Sequence, residues 1–199
     1  MTTPYPDSLC QPLDVKNEQP VVWREELMPG HTIALRAVSL HSDHDIHAIH
    51  EWLSAGYLPD QLPIEQLRLL YLLIAECSYA QAFMVLLNDA TPVGQFEIYQ
   101  LLQDDVQDII EASKGDYRLY IPVMPVIASH PEITLQILRN CLHYFFSFSE
   151  VKQIFWTVPV NDKSRNLFAG KLGFAWLQTF HEFFVGGSQE MNIWIVSNR

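Results

Sequence analysis

The segment from Ile154 to Phe174 restricts the fold more than any other part of this chain. It opens with an apolar strand, Ile154-Phe155-Trp156-Thr157-Val158, that stops at Pro159. Asn161 or Asp162 follows as a helix cap, because a short side-chain oxygen there accepts from the free N–H groups of a first turn. The helix is brief, ends in Lys171-Leu172 and is terminated by Gly173, which takes a left-handed backbone without steric cost. Phe174 opens the next strand. A strand that passes through one short helix into another strand calls for a sheet with helices packed on it.

The remaining pattern agrees. Residues 1–20 hold Pro4, Pro6, Pro12 and Pro20 among polar residues and read as an extended arm, leaving one domain over 21–199. Thr32 to Val38 alternates as a strand does. Ser42 or Asp43 caps a helix with Ile46, Ile49 and Leu53 inward, ended by Gly56. A second helix starts after Pro63, with Leu67, Leu70, Tyr71 and Ile74 inward. Residues 82–87 and 93–99 form a hairpin around the turn at 88–92. The acidic stretch 103–114 reads as loop or short helix, and Tyr117 to Val123 as a strand. A long helix runs from Pro131 or Glu132 to Phe146, with Ile133, Leu135, Ile137, Leu138, Leu142 and Phe145 inward. Two long strands, 174–185 and 189–196, close the chain around Gly186-Gly187-Ser188. The expected fold class is α/β (α+β): a single mixed, mostly antiparallel sheet flanked by helices, ending in a long β-hairpin.

Composition narrows the functions. With 199 residues and 49% hydrophobic side chains the chain suffices for one full core. A net charge of -11 argues against sequence-independent binding of nucleic acid, which needs a basic surface, and suits cationic substrates. Cys10, Cys77 and Cys141 lie far apart without metal-ligand spacing, the usage of a reducing cytoplasm. No apolar run approaches the ~20 residues of a membrane helix.

Some side chains invite chemistry. Gln95, Glu97 and Tyr99 share one face of their strand, so Glu97 is either a base or substrate contact beside a cleft or a solvent-facing strand residue. Asp162 is a helix cap, a site carboxylate or both. His41, His44, His47 and His50 recur every three residues, but such steps fan around a helix, so no metal site is expected. His181 and His143 read as surface residues. Phe155, Trp156, Phe174 and Trp176 read as core. Trp52 and Tyr57 end the first helix.

The unit Pro159 to Phe174, with its Lys171-Leu172-Gly173-Phe174 close, resembles the last strand–helix–strand of the GNAT N-acyltransferases, and the order of elements matches that superfamily after residue 30. Phe96-Glu97-Ile98-Tyr99 and Leu142-His143-Tyr144-Phe145-Phe146 are similar to its siderophore-biosynthesis branch, which acylates N6-hydroxylysine. The resemblance implies acetyl-CoA or another acyl-CoA as co-substrate, and a small amine or hydroxylamine as acceptor. It implies Glu97 and Asp162 as catalytic residues, with Tyr99, Arg118 and Trp52 on the acceptor side. Val123, Ile127, Ala128, Ser129, His130 and Asn161 would face the CoA.

Two departures accompany it. The loop that cradles the CoA pyrophosphate in that superfamily is rich in Gly and Arg, whereas Val126-Ile127-Ala128-Ser129-His130-Pro131-Glu132 has neither. Arg118 stands where the branch carries its proposed histidine base, and a guanidinium cannot take a proton. The alternative is therefore a GNAT-fold protein that has lost CoA catalysis and binds a small ligand or a protein. Transfer from a carrier-protein arm ranks below both. The final hairpin also offers an edge for pairing in a homodimer.

Overall fold

The computed structural model describes residues 8–55, 62–123, 131–184 and 187–198. Eight strands form one sheet: β1 (Val21–Met28), β2 (His31–Ala37), β3 (Ala80–Leu87), β4 (Thr91–Gln100), β5 (Asp116–Val123), β6 (Gln153–Pro159), β7 (Ala175–Phe184) and β8 (Gly187–Ser197). Their spatial order is β1-β2-β3-β4-β5-β6-β8-β7. All pairings are antiparallel except β5 with β6, which is parallel because α3 carries the chain over between them. The expected fold class is observed, final hairpin included.

Helices α1 (His44–Ser54) and α2 (Ile64–Glu76) cover one face. Ile46, Ile49, Leu67, Tyr71 and Ile74 pack there on Ala34, Met84 and Leu86. Helices α3 (Pro131–Phe146) and α4 (Lys163–Lys171) cover the other, where Ile137, Leu138, Phe145 and Phe168 meet Phe83, Phe96, Ile98 and Trp156. Two 3-10 turns, Leu101–Gln103 and Asp105–Asp108, lie on the α1–α2 side over Phe155 and Ile193.

The 154–174 unit forms as its punctuation requires. Asp162 is the N-cap of α4, its Oδ1 accepting from Arg165 N at 2.9 Å. At the other end Phe174 N donates to Ala169 O and Gly173 N to Gly170 O, both at 3.1 Å, with Gly173 at φ +86°. That pair of bonds is a Schellman closure, and it turns the chain from α4 into β7.

The structure corrects several expectations. Strand β1 was not anticipated: Arg24, Glu25 and Glu26 break its apolar pattern, yet it pairs with β2 around Pro29-Gly30 as a sheet edge. Leu70 is exposed, because the buried stripe of α2 passes through Leu67, Tyr71 and Ile74. Trp176 is 56% exposed, on the strand that forms the other edge of the sheet. Leu9 and Cys10 of the N-terminal segment are buried in the α3-side core, and Leu9 N and Ser8 Oγ both donate to Glu150 at 2.8 Å. Gly56, Tyr57 and Gly186 lie outside the described residues.

Candidate active site

The β5–β6 pairing runs from Asp116–Gln153 to Leu119–Trp156 and then stops, although β5 continues to Val123 and β6 to Pro159. The two central strands therefore part beyond Leu119 and Trp156. Tyr120 is the first β5 residue past the last pair, and across the antiparallel ladder it faces Glu97 of β4. The β4–β5 register shifts between Gln95 and Glu97, a local irregularity beside the same opening.

Strand alternation sends Phe96 and Ile98 into the α3-side core and leaves Gln95, Glu97 and Tyr99 on the α1–α2 face. Glu97 is only 4% exposed. Its carboxylate accepts from Tyr71 Oη of α2 at 2.8 Å, from Tyr99 Oη at 2.5 Å and from Gln95 Nε2 at 3.1 Å. Burial raises the Glu97 pKa above its ordinary value; the three donors and the more distant Arg118 pull it back without cancelling the effect. Among the described residues Glu97 forms no ion pair. The solvent-facing reading of Glu97 is thus overturned: α2 and its Tyr71 close over the strand.

Arg118 occupies the same face and is fully engaged. Its Nε and Nη2 donate to Thr157 Oγ1 at 3.1 and 2.9 Å, Nη1 to Asp104 Oδ1 at 3.0 Å, and Nη2 to Glu182 Oε1 at 2.5 Å. Burial alone would lower its pKa, but Asp104 and Glu182 raise it, so the guanidinium keeps its charge. One side chain on β5 thereby braces β6, β7 and the 3-10 segment. Tyr120, opposite Glu97 on the neighbouring strand, is 39% exposed. Burial and the charges of Glu97 and Glu182 raise its pKa, against Arg118 and Arg165, so the phenol keeps its proton at neutral pH.

The far side of the opening belongs to α4. Arg165 reaches across and donates through Nη2 to Pro122 O at 3.2 Å, and its Nε lies 3.5 Å from Asp162 Oδ2. Asn166 donates to Pro159 O at 2.8 Å and accepts from Asn192 and Trp194 at 2.9 Å, tying α4 to β6 and β8. Pro122 brings a carbonyl but no N–H to the edge of the opening.

The residues read from the sequence separate into groups. Glu97, Tyr99 and Arg118 lie on one face near the strand opening. Asp162 and Asn161 lie at the start of α4, Asp162 as its cap and Asn161 exposed in the turn before it. Trp52 is half-buried on α1 against the core beneath that helix. Val123 ends β5, and Ile127, Ala128, Ser129 and His130 lie outside the described residues. His41 precedes α1, and His44, His47, His143 and His181 are exposed. Among the described residues no group of His, Cys, Asp and Glu is arranged to hold a metal.

Sequence reasoning missed Tyr71, Asp104, Thr157 and Glu182 as members of the cluster. Tyr71 was read as core, although a phenol in an apolar stripe must find a partner for its O–H. The contacts of Arg118 with Asp104 and Glu182 span 14 and 64 residues, so no local pattern announces them. Chemically, the cluster sets a buried carboxylate, oriented by two phenols and an amide, beside a gap between two strands. A molecule reaching that gap would meet a buried carboxylate that forms no ion pair among the described residues.

The comparisons with known proteins agree with this geometry. A family model described as an acetyltransferase (GNAT) domain matches residues 41–181. No curated protein sequence matches the chain. Among solved structures, an uncharacterized protein from Bacillus halodurans superposes with a TM-score of 0.71 at 11% identity, over 90% of each chain. A spermidine N-acetyltransferase chimera from Vibrio cholerae and hSSAT gives 0.66 at 18% identity, over 83% of this chain and 95% of the other. AAC(6′)-Ib in complex with paromomycin and acetyl-CoA gives 0.67 at 16% identity, over 83% and 93%. At these identities the structural likeness is one of fold, whereas the family match spans most of the sheet, including the β5–β6 opening and Glu97: the chain belongs to the GNAT acetyltransferase family.

Proposed function

We propose that the protein is an acyl-CoA-dependent N-acyltransferase that acetylates a small amine or hydroxylamine, with Glu97 as the proton acceptor. The observation that carries this is Glu97 itself: a buried carboxylate that forms no ion pair among the described residues, facing the first residue of the strand opening. Neighbours of the same fold include a spermidine N-acetyltransferase and a complex with acetyl-CoA, which support an amine acceptor and an acetyl-CoA donor. The Phe96-Glu97-Ile98-Tyr99 resemblance supports a hydroxylamine of the hydroxamate-siderophore kind as the preferred acceptor.

In this reading the thioester lies in the gap between β5 and β6. The acceptor nitrogen attacks the thioester carbonyl carbon, the C–N bond forms, and the carbonyl oxygen carries the developing negative charge. The nitrogen gives up its proton to Glu97, directly or through one water. The C–S bond then breaks and the CoA sulfur leaves as thiolate, which takes a proton from solvent. Tyr71, Tyr99 and Gln95 fix the carboxylate so that little reorganisation accompanies proton transfer. Arg118 acts as a brace, in keeping with its four short contacts. Asp162 serves through the position of α4, which forms the other wall.

The test is thiol release from acetyl-CoA in the presence of N6-hydroxylysine, lysine and linear diamines. Saturable release with one of these acceptors, above hydrolysis, is expected. Absence of transfer to any amine or hydroxylamine, with acetyl-CoA bound, would contradict the proposal.

A further inference from the structure

Arg165 is a cation in a position that packing alone would fill with an apolar side chain. It shares the buried stripe of α4 with Phe168 and Ala169, three and four residues on, and is only 9% exposed. Burying a guanidinium costs free energy unless something uses its charge. The side chain leaves the helix, crosses to β5 and donates through Nη2 to Pro122 O at 3.2 Å. Pro122 lies one residue before the end of β5, where the chain departs for the loop 126–132 and α3. Arg165 thus ties the two walls of the strand opening together at the end nearest that loop.

The charge balance around the opening gives this cation a use. The chain carries a net charge of -11, whereas an acyl-CoA brings a pyrophosphate and a further phosphate, so its binding needs a local positive charge. The loop 126–132 contributes no Lys or Arg and one acid, Glu132. Of the two arginines placed at the opening, Arg118 is held by Asp104 at 3.0 Å and Glu182 at 2.5 Å. Arg165 is held less closely by its own carboxylate: Asp162 Oδ2 lies 3.5 Å from its Nε, beyond a good hydrogen bond. Its planar fork suits two phosphate oxygens at once, which an ammonium does not.

We infer that Arg165 supplies the phosphate-binding charge that the loop 126–132 lacks, its guanidinium turning from Pro122 O to the phosphates when an acyl-CoA enters the opening. This rests on the acyl-CoA reading given above and adds a residue of α4 to it. Pro122 O, released by Arg165, would then accept from an N–H of the pantetheine arm, so that no buried carbonyl is left unpaired.

Calorimetric titration of the full chain with acetyl-CoA and with S-acetylpantetheine tests this, since the second ligand keeps the thioester and most of the arm but has no phosphate. Arg165→Gln keeps a donor for Pro122 O and removes the charge. It is expected to weaken acetyl-CoA binding by roughly tenfold or more and to make that binding less sensitive to salt, while S-acetylpantetheine changes by less than about twofold. Arg165→Lys keeps the charge without the fork and is expected to fall between parent and Arg165→Gln. Arg24→Gln removes a positive charge at the β1 edge, remote from the opening, and is expected to leave both affinities unaltered. Circular dichroism and melting temperature check each fold, and Arg165→Lys carries the comparison should Arg165→Gln fail to fold. Acetyl-CoA bound by Arg165→Gln as tightly as by the parent would overturn this inference alone. So would a loss shared equally by both ligands with the parent's salt dependence, which assigns Arg165 to packing. A parent chain that binds neither ligand at millimolar concentration would overturn the acyl-CoA reading and this inference with it.

Discussion

Tyr99 donates to Glu97 Oε2 over 2.5 Å from two positions further along the same strand, while Tyr71 reaches Oε1 from α2. The carboxylate is thus held by a partner on its own strand and one on the helix above, an orientation no single element could impose. If Glu97 takes the acceptor proton, Glu97→Gln lowers kcat/KM by about 10²–10³-fold. Tyr99→Phe removes one oriented donor and lowers it by roughly tenfold. Steady-state thiol release with saturating acetyl-CoA measures both, and a loss below threefold for Glu97→Gln would remove Glu97 from the proton path.

The pH profile carries the same assignment. Burial raises the Glu97 pKa, so the acid limb of kcat/KM should lie above the ordinary glutamate value of about 4.3 and vanish in Glu97→Gln. The sign for stability follows from the folded value exceeding the unfolded one. Glu97 contributes stability that is fully present below the unfolded pKa and is lost as pH rises through the folded pKa. Urea titrations at several pH values should therefore show the parent losing stability relative to Glu97→Gln across that window as pH increases.

Arg118 is expected to matter first for stability. Arg118→Met strips Asp104 and Glu182 of their cation and leaves partly buried carboxylates behind, at about 3–5 kcal/mol if both remain charged. Adding Asp104→Asn and Glu182→Gln should recover much of that loss. Chemical denaturation of the single and triple variants distinguishes a brace from a substrate-binding cation, for which the triple variant would stay stable yet fail to bind acceptor.

The ends of α4 give two smaller effects. Asp162→Ala removes the cap bond to Arg165 N and should cost about 1 kcal/mol, whereas Asp162→Asn keeps an accepting oxygen and most of the stability. Gly173→Ala meets open space but must hold φ +86°, so it should cost roughly 1–2 kcal/mol through the backbone alone. Thermal denaturation checks both. Retention of activity in Asp162→Asn to within about threefold would fit a positional role, and its loss in a stable protein would assign the carboxylate to the chemistry.

The sequence was most legible where local chemistry decides the structure. Pro159, Asp162 and Gly173 each act within a few residues, so the β6–α4–β7 unit was readable without tertiary information. Strand β1 was not, because an edge strand needs no continuous apolar face and Arg24, Glu25 and Glu26 mask its alternation. Glu97 and Tyr99 could be placed on one face by strand period, but whether that face is open depends on α2, which approaches from 26 residues away to bring Tyr71 onto the carboxylate. The role of Arg118 was the least accessible, since its partners come from three separate elements and only the folded sheet assembles them.

Calorimetric titration with acetyl-CoA, with desulfo-CoA as a control for thiol chemistry, asks whether the opening between β5 and β6 takes an acyl-CoA. Saturable binding in the micromolar range, largely retained in Glu97→Gln and weakened by changes around the strand opening, is the predicted result. Absence of binding at millimolar acetyl-CoA would contradict an acyl-CoA-dependent transferase and leave the buried carboxylate to a different ligand.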